Sequence, residues 1–222
     1  LGDVYKRQID AAVAVGFALA VTSSGNGNIG GGGFLIARLS NGTSIALDHR
    51  EKAPLKAHSN MFLNDSGSVI PGMSLFSRAS SGIPGTVDGL IRAFENHGSG
   101  KISLREVLNP AIRLAERGFE LSHFEANRLN AYKTFFEKNK AASKIFIRHD
   151  GKPWEKGQIL IQKDLAKTLK KIARYGRDGF YSGAVAQLIV EEMKRGNGLI
   201  TKEDLLRSVS YTHLTLPTTL VV

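Results

Sequence analysis

The spacing of apolar residues along this chain changes period several times, and each change marks an element. Residues 9 to 21 are apolar on most sides and rich in small residues, mostly Ala. They predict a buried helix whose small residues allow close packing against a sheet. Phe34-Leu35-Ile36-Ala37-Arg38-Leu39 is an apolar, β-capable run, and Ser44-Ile45-Ala46-Leu47-Asp48 is its return strand. Ser40-Asn41-Gly42-Thr43 between them holds Asn-Gly, the favoured pair for a tight hairpin. From 52 to 82 periodicity fades among Gly, Ser, Asn and Pro. This predicts a long irregular excursion, with at most a short turn of helix at Ser59 to Leu63. Excursions of that size in compact domains are usually functional or mobile.

Helical spacing then returns. Pro84-Gly85-Thr86 opens a helix to about His97, with Gly98 as its C-cap candidate. Ser103-Leu104-Arg105-Glu106 is a capping box that starts a helix to about Arg117, ended by Gly118. Pro110 lies inside it and predicts a kink or a split at Asn109. Ser122 caps a long polar helix to about Lys140. Residues 143 to 161 read as short strands and turns. Asp164 to Tyr175 is a basic amphipathic helix stopped by Gly176, and Ser182 to Arg195 is another. Thr201-Lys202-Glu203-Asp204 begins a last one. No internal repeat is visible.

Between the first helix and the hairpin lies Gly25-Asn26-Gly27-Asn28-Ile29-Gly30-Gly31-Gly32-Gly33. Four consecutive glycines leave no side chain there and let another backbone come close. Arg50 stands just past the end of the return strand, where rigid scaffolds place ligand contacts. The loop is not a phosphate loop: no Gly-Lys-Ser/Thr follows, and Phe34 leads into a strand rather than a helix.

Together these stretches resemble the large-subunit portion of the γ-glutamyltranspeptidase (glutathione hydrolase) family. The residues that carry the resemblance are Asp10-Ala11-Ala12, the run Gly30-Gly31-Gly32-Gly33-Phe34, and Asp48-His49-Arg50-Glu51-Lys52-Ala53-Pro54. Ser81-Gly82-Ile83-Pro84-Gly85-Thr86-Val87-Asp88-Gly89-Leu90 and Gly198 to Leu205 are similar to further family segments, in family order. The resemblance implies an α+β, N-terminal-nucleophile (Ntn) hydrolase fold, an αββα sandwich, incomplete here because only the large-subunit part is present. It implies a precursor that cuts itself. The new N-terminal Thr of the small subunit then attacks the γ-glutamyl amide of glutathione and passes the acyl group to an amino acid, a peptide or water. That Thr lies beyond this sequence, so the chain as given is expected to be inactive. The small subunit of the same precursor is the implied partner, no cofactor is implied, and the intact protein is expected in the periplasm or outside the cell.

One residue carries over directly. In the family, the Arg matching Arg50 grips the α-carboxylate of the γ-glutamyl group; a planar guanidinium matches a carboxylate through two parallel hydrogen bonds. Spacing alone favours a structural Arg50 paired with Asp48 or Glu51, and the motif reverses that preference. Asp48 and Glu51 are then expected to support Arg50. Gly30, Gly31, Gly32 and Gly33 are expected to permit backbone packing rather than bind ligand, and His49 to be a spacer.

Composition narrows the alternatives. The 222 residues suit one domain or a large part of one, and 42% hydrophobic content allows a real core. The absence of cysteine excludes disulfides, thiolate metal sites and a Cys nucleophile. No apolar run approaches the ~20 residues of a membrane span. No Gly-x-Ser-x-Gly and no His-Glu-x-x-His occurs, so a serine elbow and a zinc site lack support. The net charge of +10 admits a basic binding module for an anionic polymer, but Lys and Arg are spread among Glu and Asp as on a solvated surface, and no nucleic-acid partner is expected. A related amidase, acting on acylated β-lactams or poly-γ-glutamate, is the nearer rival.

The two ends read differently from the rest. One encoding of Asp3-Val4-Tyr5-Lys6-Arg7-Gln8, reverse-complemented and read in another frame, begins Val-Ser-Tyr-Thr-His, which stands at Val209 to His213. Residues 1–8 and 208–222 are therefore expected to be adapter-derived tails, with 9–207 the family domain.

Overall fold

The computed structural model describes residues 7–23, 25–39 and 41–208, and the backbone of 211–213. Its main core is a layer of helices. α1 (Gln8–Thr22) and α8 (Lys163–Tyr175) both pack on α4 (Leu104–Arg117), and α3 (Thr86–His97) packs on α1. The helical period explains which residues meet. α4 buries Val107, Leu108, Ala111, Ile112 and Ala115, and α8 buries Ala166, Leu169 and Ile172. α1 buries Val13, Phe17, Ala20 and Val21. Its small residues serve helix packing rather than the expected sheet packing: a Cβ at Gly16 would come within 3.0 Å of Leu90 on α3. The outer face of α1 leaves Val15 and Leu19 exposed.

β1 (Phe34–Arg38) and β2 (Ser44–Asp48) form the expected hairpin, registering Phe34 with Asp48 and Arg38 with Ser44. β5 (Tyr211–His213) pairs antiparallel with the other edge of β2. The hairpin turn differs from expectation. The Leu39 amide donates to the Thr43 carbonyl and the Gly42 amide to the Leu39 carbonyl, so three residues rather than two make the connection. Gly42 takes φ 85°, whereas the Asn41 side chain accepts the Thr43 amide at 3.0 Å. Asn41 acts as a local hydrogen-bond acceptor, and among the described turn residues Gly42 supplies the positive φ.

Three further expectations are corrected. α4 is not split at Asn109: it continues from Leu104 to Arg117 with Pro110 on its exposed side. Ser59 to Leu63 is a pair of turns, not a turn of helix; the excursion's helical pieces are α2 (Met73–Phe76) and a 3-10 turn at Arg78–Ser80. The long polar helix expected from Ser122 to about Lys140 is two short ones, α5 (His123–Ala131) and α6 (Lys133–Glu137), and a further helix, α7 (Lys140–Phe146), runs into the stretch expected to be strands and turns. Asn139 caps α7 by accepting the Ala141 and Ala142 amides. The folding back brings Phe136 onto Phe146, ring centroids 5.0 Å apart, beside Trp154. These rings lie against a small second core of Leu121, Ala126, Leu129 and Leu160, beneath a two-stranded ribbon of β3 (Phe119–Glu120) and β4 (Ile159–Leu160). A straight helix would leave those rings in water.

The remaining elements are α9 (Asp178–Tyr181), which the sequence reading missed, α10 (Gly183–Arg195) and α11 (Lys202–Leu206). Of the supposed tails, 1–6, 209–210 and 214–222 lie outside the described residues, while Gln8 opens α1 and Ser208 is buried.

Candidate functional site

Alternation along β2 decides what faces where. Ile45, Leu47 and His49 are buried on the helix side, so Asp48 and Arg50 emerge on the other. That outer face also carries Phe34 and Ile36, 63% and 66% exposed. The Arg50 guanidinium lies 5.9 Å from the Phe34 ring centroid, and its side chain is 61% exposed.

Each neighbour of Arg50 has a distinct task. Asp48 Oδ1 accepts the Arg50 backbone amide at 2.9 Å, which fixes the chain where the strand ends. Glu51 Oε2 accepts Arg50 Nε at 3.0 Å. Burial would raise the Glu51 carboxyl, but its own amide, the Arg50 guanidinium and the Gly32 amide together hold it below its usual range. An ion pair this exposed adds little stability; its effect is to orient the fork. Among the described residues, no hydrogen-bond partner occupies the two terminal guanidinium nitrogens of Arg50.

The glycines set the backbone beneath. A Cβ at Gly32 would come within 2.6 Å of the His49 carbonyl oxygen, 2.7 Å of the Glu51 nitrogen and 2.8 Å of the Arg50 Cα. Gly33 continues the ladder, exchanging hydrogen bonds with His49 at 3.0 and 3.3 Å. The Gly31 carbonyl accepts the Gly85 and Thr86 amides at 2.8 and 2.9 Å, at the start of α3. Gly30 faces only the Asn28 side chain.

Three residues that sequence reasoning missed hold this corner from behind. His49 is buried, not a spacer; its phase with Ile45 and Leu47 was the available signal. Asp88, fully buried on α3, pairs with Arg92 at 3.0 Å and Arg177 at 2.7 Å. Tyr181 donates its hydroxyl to the Pro84 carbonyl at 2.8 Å and accepts the Asp88 amide at 3.2 Å. Burial pushes the Tyr181 hydroxyl well above its usual range, so it stays protonated. The segment after Arg50 is tied down as well: the buried Asp204 of α11 accepts the Leu55 amide at 2.8 Å with one oxygen and the Thr201 amide and hydroxyl with the other.

The described residues include no group of His, Asp and Glu placed to hold a metal ion, and no helix long and apolar enough to cross a membrane. What the geometry offers is a rigidly founded, solvent-facing guanidinium suited to a carboxylate.

This arrangement belongs to an Ntn-hydrolase fold. The structure superposes on a cephalosporin acylase from Bacillus halodurans with TM-score 0.79, covering 93% of this chain and 38% of that one; at 23% identity this likeness concerns the fold alone. A much closer match is the γ-glutamyltranspeptidase of Helicobacter pylori, with TM-score 0.89 and 45% identity over 93% of this chain and 58% of that one. The family model for gamma-glutamyltranspeptidase matches residues 7–212, and the chain belongs to that family. A glutathione hydrolase proenzyme from Pseudomonas sp. strain A14 is 46% identical over 197 residues, 89% of this chain and 34% of the relative. The chain thus spans about a third of the length of the curated relatives it matches.

Proposed function

We propose that this chain supplies the donor-binding wall of a γ-glutamyltransferase or glutathione hydrolase, and that Arg50 grips the α-carboxylate of the γ-glutamyl group. The observation that carries the reading is the orientation of the fork: Nε is held by Glu51, while the side chain is largely exposed and no described residue occupies the terminal nitrogens. A carboxylate fits that edge through two parallel, charge-assisted bonds. The identity of 45% to a γ-glutamyltranspeptidase, against 23% to a cephalosporin acylase, supports this donor over an acylated β-lactam.

In the intact protein the γ-glutamyl amide is attacked by an N-terminal Thr of the small subunit, whose own amino group serves as base. A covalent acyl-enzyme forms, the leaving amine departs, and an amino acid, peptide or water accepts the acyl group. No cofactor enters. The 222 residues alone are inactive on this reading, and the parent acts in the periplasm or outside the cell. Residues 9–207 are its large-subunit sequence, a boundary checked by reading the gene from an independent DNA library.

The test is Arg50→Lys and Arg50→Ala in the full-length protein, assayed with a γ-glutamyl anilide. Losing hydrogen bonds to a charged group costs about 1.5–3 kcal/mol, so donor KM rises roughly 10- to 150-fold, with a smaller effect on kcat. An unchanged KM in both variants refutes the assignment.

A further inference from the structure

We infer that His49 is a positioning residue for Arg50, and that its uncharged ring is what seats the end of β2 against α3. The proposal rests on the reading of Arg50 given above, and its geometry is independent of it. The imidazole lies between two elements. On one side a Cβ at Gly33 would stand 3.0 Å from His49 Cε1; on the other a Cβ at Gly89 of α3 would overlap the ring, and one at Gly85 would overlap the His49 carbonyl. The niche is thus shaped for a flat ring by residues without side chains. His49 is 8% exposed, and its buried Nδ1 has no hydrogen-bond partner. A group that packs a ring while leaving a ring nitrogen unpaired is used for its shape.

The backbone of the same residue carries the site. His49 exchanges two hydrogen bonds with Gly33, and the next residue is Arg50. If the ring leaves its niche, the strand end and the guanidinium move with it. A second proton would put a charge on a ring that is buried and whose Nδ1 makes no hydrogen bond in the fold. The charged groups around the ring are Asp48 and Glu51 on its own segment and Asp88 on α3. Asp88 is already engaged by Arg92 and Arg177, and the glycine-rich loop contributes no ionisable side chain. Burial is the largest influence and outweighs the raising effects of the residue's own backbone and of the three carboxylates, so the ring titrates below its ordinary value of 6.5. A neutral ring in the fold means that acid works against the seat: the contribution is complete above pH 6.5 and is lost as the pH falls through the folded-state value.

The experiment uses the full-length protein with histidine labelled at Cε1, comparing wild type, His49→Phe and His49→Ala. In the wild type, the His49 ring signal titrates below 6.5, and donor KM climbs by up to about tenfold per pH unit below that same midpoint, as one linked proton requires. In His49→Phe, which keeps a flat ring and removes the proton, that climb disappears. In His49→Ala, which empties the niche, KM is raised several-fold at neutral pH and the loss falls on KM rather than kcat. A wild-type KM that stays flat through the ring's titration overturns the proposal. So does an acid climb that persists in His49→Phe, or a ring that titrates at or above 6.5. If Arg50→Lys and Arg50→Ala leave KM unmoved, the Arg50 reading fails by itself; the ring's titration and the melting temperature of His49→Ala still report whether the niche seats the strand.

Discussion

At the Arg50 corner, main chain touches main chain; in the lobe from Leu121 to Leu160, side chain touches side chain. Gly32 and Gly85 lie against the carbonyl of His49 with no room for a methyl group. In the lobe, Phe136, Phe146 and Trp154 close over a core of four small or aliphatic residues. Backbone contacts leave the chain nowhere to shift, whereas ring contacts can be refilled by another apolar shape. The corner that presents a charged fork is therefore built with the less forgiving material, which suits a group whose direction matters more than its attachment energy.

Three substitutions sharpen this contrast. The largest effect is expected for Gly85→Ala. Its new methyl would overlap the His49 carbonyl, which is itself bonded to the Gly33 amide and cannot step aside cheaply. Overpacking costs 1–3 kcal/mol or more, and here about 3 kcal/mol is expected from urea unfolding. A cost below about 1 kcal/mol would show the corner to be as plastic as the lobe.

Asp204→Ala comes next. It removes the carboxylate half of the α11 capping box, which accepts the Thr201 amide and hydroxyl, and leaves the Leu55 amide unpaired, for about 2 kcal/mol. Burial alone would raise the Asp204 carboxyl, yet the Leu55 amide and Thr201 hold it below the ordinary 3.8. Its contribution is thus present above pH 3.8 and is lost as the pH falls through the lower folded-state value. Asp204→Asn should flatten the acid limb of the stability curve in that window; an unaltered limb assigns it to other carboxylates.

Trp154→Phe is the mildest. It keeps a ring over the second core and removes the indole N–H bonded to the Phe146 carbonyl at 2.7 Å, for about 1 kcal/mol. A loss as large as that of Gly85→Ala would erase the distinction between the two regions.

Local rules made part of this legible in the sequence. The capping boxes at Ser103, Ser122 and Thr201 each lie within four residues, and the first and last open helices as read. The hairpin register follows from alternation, and the same alternation places Arg50 on the open face. The split expected at Pro110 does not occur, because the packing of α1 and α8 holds α4 together on its other side. The break at Tyr132 was missed because the pull comes from Phe146 and Trp154, further along the chain. The supports of the corner were missed for a related reason: Arg177 reaches Asp88 across 89 positions. Only the partner explains why Asp88 can be buried.

The bond between the Leu55 amide and Asp204 spans 149 positions. A ribosome adding roughly 5–20 residues per second would need on the order of 10–30 s after making Leu55 before Asp204 exists. For that interval the Leu55 amide lacks the acceptor it has in the fold, while both strands of the β1–β2 hairpin already exist. The stretch after Arg50 thus reaches its Asp204 anchor only once the residues of α11 have been made.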